Sequence, residues 1–359
     1  MSSECPIREN DTAPELRRPA WESDRLDTPE SPEIMEAYFD RGIDAWVLSR
    51  YADVAAALHA VDLAPATPTR KEESPLANEA ARLQARADVM EALSPSSLRA
   101  WRRHTLQVAR VRVASLPVGC SVDLIREYAQ PVCTELAVMV TGAPPQETER
   151  LVQLAAHATA AAAEPFDDAL QAQAESAGRQ MRPCFHAGPE SLRESGFIAL
   201  SQTLVRLLAN GWFSLLRNPA EWSRLHRQPS LAPRAVEEML RCAALPRILC
   251  RQATRDTRIG GAQIRAGDRV ILRLVAANND PERFVAPHRF DITRGGAGHF
   301  TLGAGGHACV GAPLLRCAAI AGTLPLVESF VAAELAGPIE WVGGTSFLSP
   351  RSLPVRLSR

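Results

Sequence analysis

Apolar positions recur at intervals of three and four along most of this chain and alternate only in short stretches. The 3.6-residue pattern predicts helices over 78–93, 97–116, 131–141 and 147–180, the last interrupted by Pro165. A long, mainly apolar helix is predicted over 192–216, and another directly after Pro313. Residues 32–39 read as a short amphipathic helix, with Pro32 at a tolerated first-turn position. Residues 45–51 read as a strand leading into a helix over 52–60, and 251–271 as a hairpin with turn glycines at Gly260, Gly261 and Gly267. Residues 63–75 and 181–190 carry loop composition, and 1–31, rich in Pro, Ser, Glu and Arg, reads as a flexible lead-in. A single domain over 32–359 is expected.

Composition narrows the function classes. The net charge is -1 over 359 residues, which gives no reason to expect a nucleic-acid partner. Arginine supplies nearly all the positive charge, Lys71 being the only lysine. No apolar run is long enough to span a bilayer and the first residues are polar, so a soluble, cytoplasmic protein is expected, with no membrane contact. Cysteines are scattered without a paired pattern, and most read as small buried hydrophobes in a reducing compartment.

Chemistry concentrates in 299–316. Gly303, Gly305, Gly306 and Gly311 crowd around Cys309, and a helical pattern follows at once. Glycine lets a backbone bend sharply and approach a flat ligand. The N–H groups of the following helix favour a thiolate at Cys309, which suits it to hold a metal. No second cysteine lies two to four residues away, which excludes the common zinc and iron–sulfur spacings. A structural turn around a buried thiol is the other reading of these residues taken alone.

The stretch Gly303-x-Gly305-x-His307-x-Cys309-x-Gly311-Ala312-Pro313 resembles the haem loop of the cytochrome P450 superfamily, with Leu302 where that family usually has phenylalanine. Further motifs resemble the same family in order along the chain. Glu238 and Arg241 match its Glu-x-x-Arg helix, and Arg289 in Pro287-His288-Arg289-Phe290 falls where an arginine completes that ionic trio. Val122-Asp123-Leu124, Asn210-Gly211 and Ala277-Asn278 also match. The resemblance implies a mainly α fold with small β-sheets, the triangular helical prism of that family. It implies haem b as cofactor, with Cys309 as axial ligand and Gly303, Gly305 and Gly311 shaping the loop. It also implies Arg102, Arg251 and His307 as propionate ligands, Leu98 standing where many members have histidine. The segment 346–355 resembles a final hairpin reaching over the active site.

One departure bears on mechanism. The distal-helix motif Ala/Gly-Gly-x-Asp/Glu-Thr is Ala199-Leu200-Ser201-Gln202-Thr203 here. Thr203 is kept and would line the distal pocket with Gln202. Glycine at position 200 would let the helix open, whereas Leu200 restores ordinary helix propensity. A carboxylate relays protons; Gln202 orients water but cannot titrate. The chain is also short for the family, notably over 165–192, where the helices roofing the substrate pocket fall. The resemblance therefore implies a haem-thiolate monooxygenase-type oxidoreductase acting on a secondary-metabolite substrate, small or carrier-tethered, with a ferredoxin-type electron donor and room for atypical chemistry. The alternative is a haem-free auxiliary protein on the same scaffold that activates a partner glycosyltransferase.

Overall fold

The computed structural model describes residues 34–66, 79–243, 245–294 and 298–359. The predicted lead-in lies outside them, as does most of the predicted loop over 63–75.

The N-terminal region is β rather than helical. Strands β1 (Tyr38–Asp40) and β2 (Ala45–Leu48) pair antiparallel, Tyr38 opposite Val47. The tight turn between them overrides the weak helical pattern of 32–39: Asp40 Oδ1 accepts from the Gly42 N–H at 2.8 Å, and Asp44 takes a positive φ of 53°. Helix α1 (Tyr51–His59) follows, its first N–H donating to Asp280 at 2.7 Å. After β3 (Leu63–Pro65) come α2 (Glu79–Ala92) and α3 (Pro95–Ala114), separated by Ser94, whose hydroxyl accepts from the Ser97 N–H. Strand β4 (Ser121–Asp123) and a π turn (Ile125–Ala129) lead into α4 (Gln130–Thr141). Helices α5 (Thr148–Ala163) and α6 (Asp168–Met181) flank the Pro165 break.

The predicted long helix is present as α7 (Arg193–Ile198), a π segment (Ala199–Thr203) and α8 (Leu204–Leu216), run together without a break. It carries much of the main core: Leu204, Leu207, Leu208, Trp212 and Leu215 are buried. Helices α9 (Pro219–Arg227) and α10 (Ala232–Ala243) follow. A Cβ on Gly211 would come within 2.9 Å of Met239 Cβ, so glycine is what lets α8 and α10 approach so closely.

Strands β5 (Ile248–Ala253) and β8 (Arg269–Arg273) enclose the small hairpin β6 (Thr257–Ile259)–β7 (Ala262–Ile264). Together with the N-terminal strands they form a sheet of order β1-β2-β8-β5-β3, in which only β2–β8 is parallel. After α11 (Leu274–Ala277), α12 (Ala312–Ser329) runs through the core; Tyr128 Oη donates to Gly322 O at 2.6 Å and Trp212 Nε1 to Thr323 Oγ1 at 3.0 Å. The chain ends with β9 (Ala332–Leu335), the hairpin β10 (Trp341–Gly343)–β11 (Leu348–Pro350), and β12 (Pro354–Ser358) between β4 and β9. The architecture is the expected one, helices with small sheets at the periphery. The hairpin tip is fastened to the end of α5: Ser346 N–H donates to Ala163 O at 2.9 Å and Thr345 Oγ1 to Glu164 at 3.0 Å.

Candidate functional site

The cysteine loop is held by its own backbone. Gly303 N–H donates to Phe300 O and Cys309 N–H to Leu302 O, each at 2.7 Å. Gly303 and Gly305 have φ of 69° and 66°, and a Cβ on Gly305 would run into the carbonyl of Leu58 at the end of α1. Cys309 emerges just ahead of α12 and is exposed. Burial of part of its surroundings pushes its thiol up; the N–H groups of Gly311 and Ala312 and the charges of Arg86 and Arg316 work the other way, toward the thiolate. A bound metal would settle that balance, since a coordinating thiol is deprotonated.

Behind the loop lies a buried ionic network. Glu238 and Arg241, one turn apart on α10, form a two-pronged ion pair with both bonds at 2.8 Å, and both are almost wholly buried. Arg241 also donates to the carbonyl of Asn278 at 2.9 Å. The Asn278 side chain accepts from the Phe300 N–H at 2.7 Å and donates to Thr301 Oγ1 at 2.9 Å. The Glu238–Arg241 pair is thus tied by hydrogen bonds to the start of the cysteine loop. A second pair lies nearer the surface: Glu237 accepts from Arg316 at 2.6 Å and 3.0 Å and meets His299 Nε2 at 3.1 Å. Burial opposes the Glu237 charge, but the hydrogen bonds from His299 and Arg316 outweigh it and hold the carboxyl at about 2.

The third member of the trio is not Arg289. That side chain is exposed, and Arg294 takes its place. Arg294 Nε donates to Glu238 Oε1 at 3.2 Å, while its other nitrogens donate to Val285 O, Ala286 O and Arg289 O at 2.8, 3.1 and 3.0 Å. The reason is local. Asp291 accepts from the N–H and hydroxyl of Thr293, and this turn swings Arg294 back over the preceding loop toward Glu238. The Asp291-Ile292-Thr293-Arg294 turn was the available signal in the sequence.

Helix α3 buries Trp101, Thr105, Ala109 and Val113, and Arg102, next to Trp101, is exposed. The arginines that reach the cysteine loop come from α2, one helix earlier. Arg86 Nη1 donates to Ala308 O at 2.6 Å, and Arg82 Nη1 approaches Gly306 O at 3.5 Å. Their i, i+4 spacing places both on one helix face, the signal that sequence reasoning passed over. Arg251 is buried on β5. Its single hydrogen bond, 3.0 Å, goes to the neighbouring Cys250 carbonyl, and no carboxylate pairs with it among the described residues. Burial pulls its pKa down, as expected for a buried cation without an anion. His307 closes a short 3₁₀ turn (Gly305–His307) in the loop and is half-buried.

On the long helix, the expectation that Leu200 restores regular helix fails. Residues Ala199–Thr203 form a π turn, with the Leu204 N–H bonded to Ala199 O. The helix widens where a glycine would have let it open, and Leu200 turns into the core at 2% exposure. Thr203 is half-buried. Gln202 does not point into an open pocket: it is buried, its Nε2 donates to Val152 O on α5 at 3.1 Å, and its Oε1 accepts from Arg206 at 3.0 Å. The Ser201 hydroxyl is buried in the same turn without a hydrogen-bond partner.

The residues fit a haem. An exposed sulfur sits among positive-φ glycines, a buried guanidinium at Arg251 lacks an anion, Arg86 lies against the loop, and the helix bearing Thr203 is widened. Comparisons agree. The family described as Cytochrome P450 matches residues 219–321. The Bacillus subtilis protein YjiB is 40% identical over 145 residues, 40% of this chain and 37% of YjiB, so that match spans well under two thirds of the relative. Nocardicin C N-oxygenase of Nocardia uniformis is 28% identical over 357 residues, covering 88% of this chain and 90% of that protein. Among solved structures, the Bacillus subtilis cytochrome P450 CYP109B1 superposes with a TM-score of 0.76 at 23% identity, covering 94% of this chain and 98% of that one. Among the described residues, no helix is long and apolar enough to cross a membrane.

Proposed function

We propose that this chain is a member of the cytochrome P450 superfamily, a haem-thiolate oxidoreductase that tailors a secondary metabolite. The observation that carries the reading is the Cys309 loop: an exposed cysteine, the N–H groups of Gly311 and Ala312 bonded to it, the nearby charges of Arg86 and Arg316, and glycines that shape the backbone around it. Cys309 is the ligand to iron. Arg86, Arg251 and His307 are the groups for the propionates, and a guanidinium fork suits a carboxylate. When bound, haem supplies oxygen activation, which lets the family attack unreactive C–H bonds and heteroatoms. The similarity to nocardicin C N-oxygenase supports a tailoring role.

The chain's own residues constrain how protons reach the site. Gln202 is committed to the α5 backbone and to Arg206, so it relays no proton. Thr203 is the half-buried hydroxyl on the widened turn and would be the residue to hold a water there. Electrons come from a ferredoxin-type donor.

The test is the absorption spectrum of the haem-loaded, reduced protein under carbon monoxide. A Soret band at the red-shifted position of thiolate-ligated haem, lost in Cys309→Ala, is the expected result. Folded protein that takes up no haem would overturn the reading and return attention to an auxiliary role beside a partner transferase.

A further inference from the structure

The distal helix carries a cation, Arg206, one turn after the position where its motif has an acid and this chain has Gln202. Arg206 lies on α8 at i, i+3 from Thr203, so their side chains are neighbours on one helix surface. Around them Leu200, Ser201, Gln202, Leu204 and Val205 are buried, while Ala199, Thr203 and Arg206 keep part of their surface open. One nitrogen of the Arg206 guanidinium is fixed. Nη1 donates to the backbone oxygen of Gln202 at 3.2 Å and to its Oε1 at 3.0 Å. Gln202 is itself anchored to Val152 O, so the guanidinium is held in place from behind. The remaining donors meet no acceptor among the described residues, and no Asp or Glu there lies within ion-pair distance of Arg206.

Such an arrangement is unfavourable by itself. A partly desolvated charge costs stability unless an opposite charge compensates it, and burial does pull the Arg206 pKa below its ordinary value. Solvation alone does not explain why the side chain is oriented by a second, buried residue. A planar fork with free donors, one helix step from Thr203, matches a planar carboxylate.

We propose that Arg206, oriented by Gln202, is the recognition group for a carboxylate on the substrate. This names the substrate class of the oxidoreductase proposed above and rests on that reading. The substitution of glutamine for the acid then has a positive role. A carboxylate at position 202 would pair with Arg206 and use up the charge, whereas the neutral amide positions it and leaves it available.

The experiment compares 4-phenylbutanoate with 4-phenylbutanamide, an acid and its matched neutral amide, on the haem-loaded full chain. Binding is read from the Soret shift and, on the same samples, from the rise in thermal midpoint. The wild type is expected to bind the acid at least about tenfold more tightly than the amide, as one charge-assisted contact allows, with the preference shrinking as salt is added. Arg206→Gln should abolish the preference while leaving amide affinity unchanged. Arg206→Lys should retain part of it, and Arg217→Gln, at the exposed end of the same helix, all of it. Equal affinities in the wild type, or a preference that survives Arg206→Gln, would overturn the proposal. The two readings fail separately. A thiolate spectrum with no acid preference removes only the carboxylate site. Thermal stabilisation by the acid that depends on Arg206, in protein that takes up no haem, retains the site and removes the oxidoreductase.

Discussion

Truncating Arg294 tests whether the structure has assigned the ionic network correctly. In the wild type its guanidinium makes four hydrogen bonds, one to the buried Glu238 carboxylate and three to carbonyls of the preceding loop, and its side chain is 17% exposed. Arg294→Ala removes all four. Glu238 is not left unpaired, because Arg241 still grips it with two bonds at 2.8 Å, so the cost falls below the roughly 3–5 kcal/mol of severing a buried pair outright. A charge-assisted hydrogen bond is worth about 1.5–3 kcal/mol, and the three carbonyls regain water when the loop loosens. The expected destabilisation is therefore about 2–3 kcal/mol. Arg289 is exposed and contributes to the network only through its backbone carbonyl, which Arg289→Ala preserves. That variant should stay within about 0.5 kcal/mol of wild type. Urea unfolding followed by tryptophan fluorescence reads both, at one haem occupancy, because a bound cofactor adds stability of its own. Equal losses in the two variants, or a larger loss for Arg289→Ala, would refute the assignment of Arg294 to Glu238.

Two further predictions concern charge. Arg251→Leu removes a buried cation that has no carboxylate partner among the described residues, so the haem-free protein should be no less stable in a thermal melt, while haem retention, measured by transfer to apomyoglobin, should weaken about 10- to 100-fold. Glu237 is held at about 2 against an ordinary 4.5. Because the folded-state value is the lower one, its stabilisation is fully present above the ordinary carboxylate range and is lost as pH falls toward 2. Its size is about 3 kcal/mol at one unit per 1.36 kcal/mol, and Glu237→Gln should flatten the acid limb of stability against pH by that amount between pH 5 and 2.

The sequence was most readable where one residue's type sufficed to set its place. Long periodic helices, the Glu238–Arg241 spacing and the glycines around Cys309 are of that kind: each is a local pattern whose partners lie within a turn or a loop. What stayed hidden depended on contacts distant in sequence. Residues 32–39 carry a helical pattern, yet pairing with β2 and the Asp40 turn make Tyr38–Asp40 a strand. Register with the family pointed to Arg102 on α3, and could not reveal that Arg82 and Arg86 on α2 reach Gly306 and Ala308, more than 220 residues further on. Arg289 and Arg294 differ by five positions, and only the turn at Asp291 decides which of them meets Glu238.

The π turn at Ala199–Thr203 carries the same lesson into chemistry. Judged by propensity, Leu200 should have closed the helix, since leucine is a good helix former and glycine is not. Propensity is worth less than 1 kcal/mol at one position, whereas burying a leucine side chain gains about 1.5–3 kcal/mol. Leu200 is 2% exposed within the main core, so packing can hold the widened turn with the leucine directed inward and away from the site. The same turn leaves Gln202 facing α5 and Arg206, one step from Thr203. A bulky residue and a lost acid therefore do not amount to a disabled distal helix. The opening is retained by different means, and beside it a neutral amide stands at the acid's position with a guanidinium bonded to it one turn on.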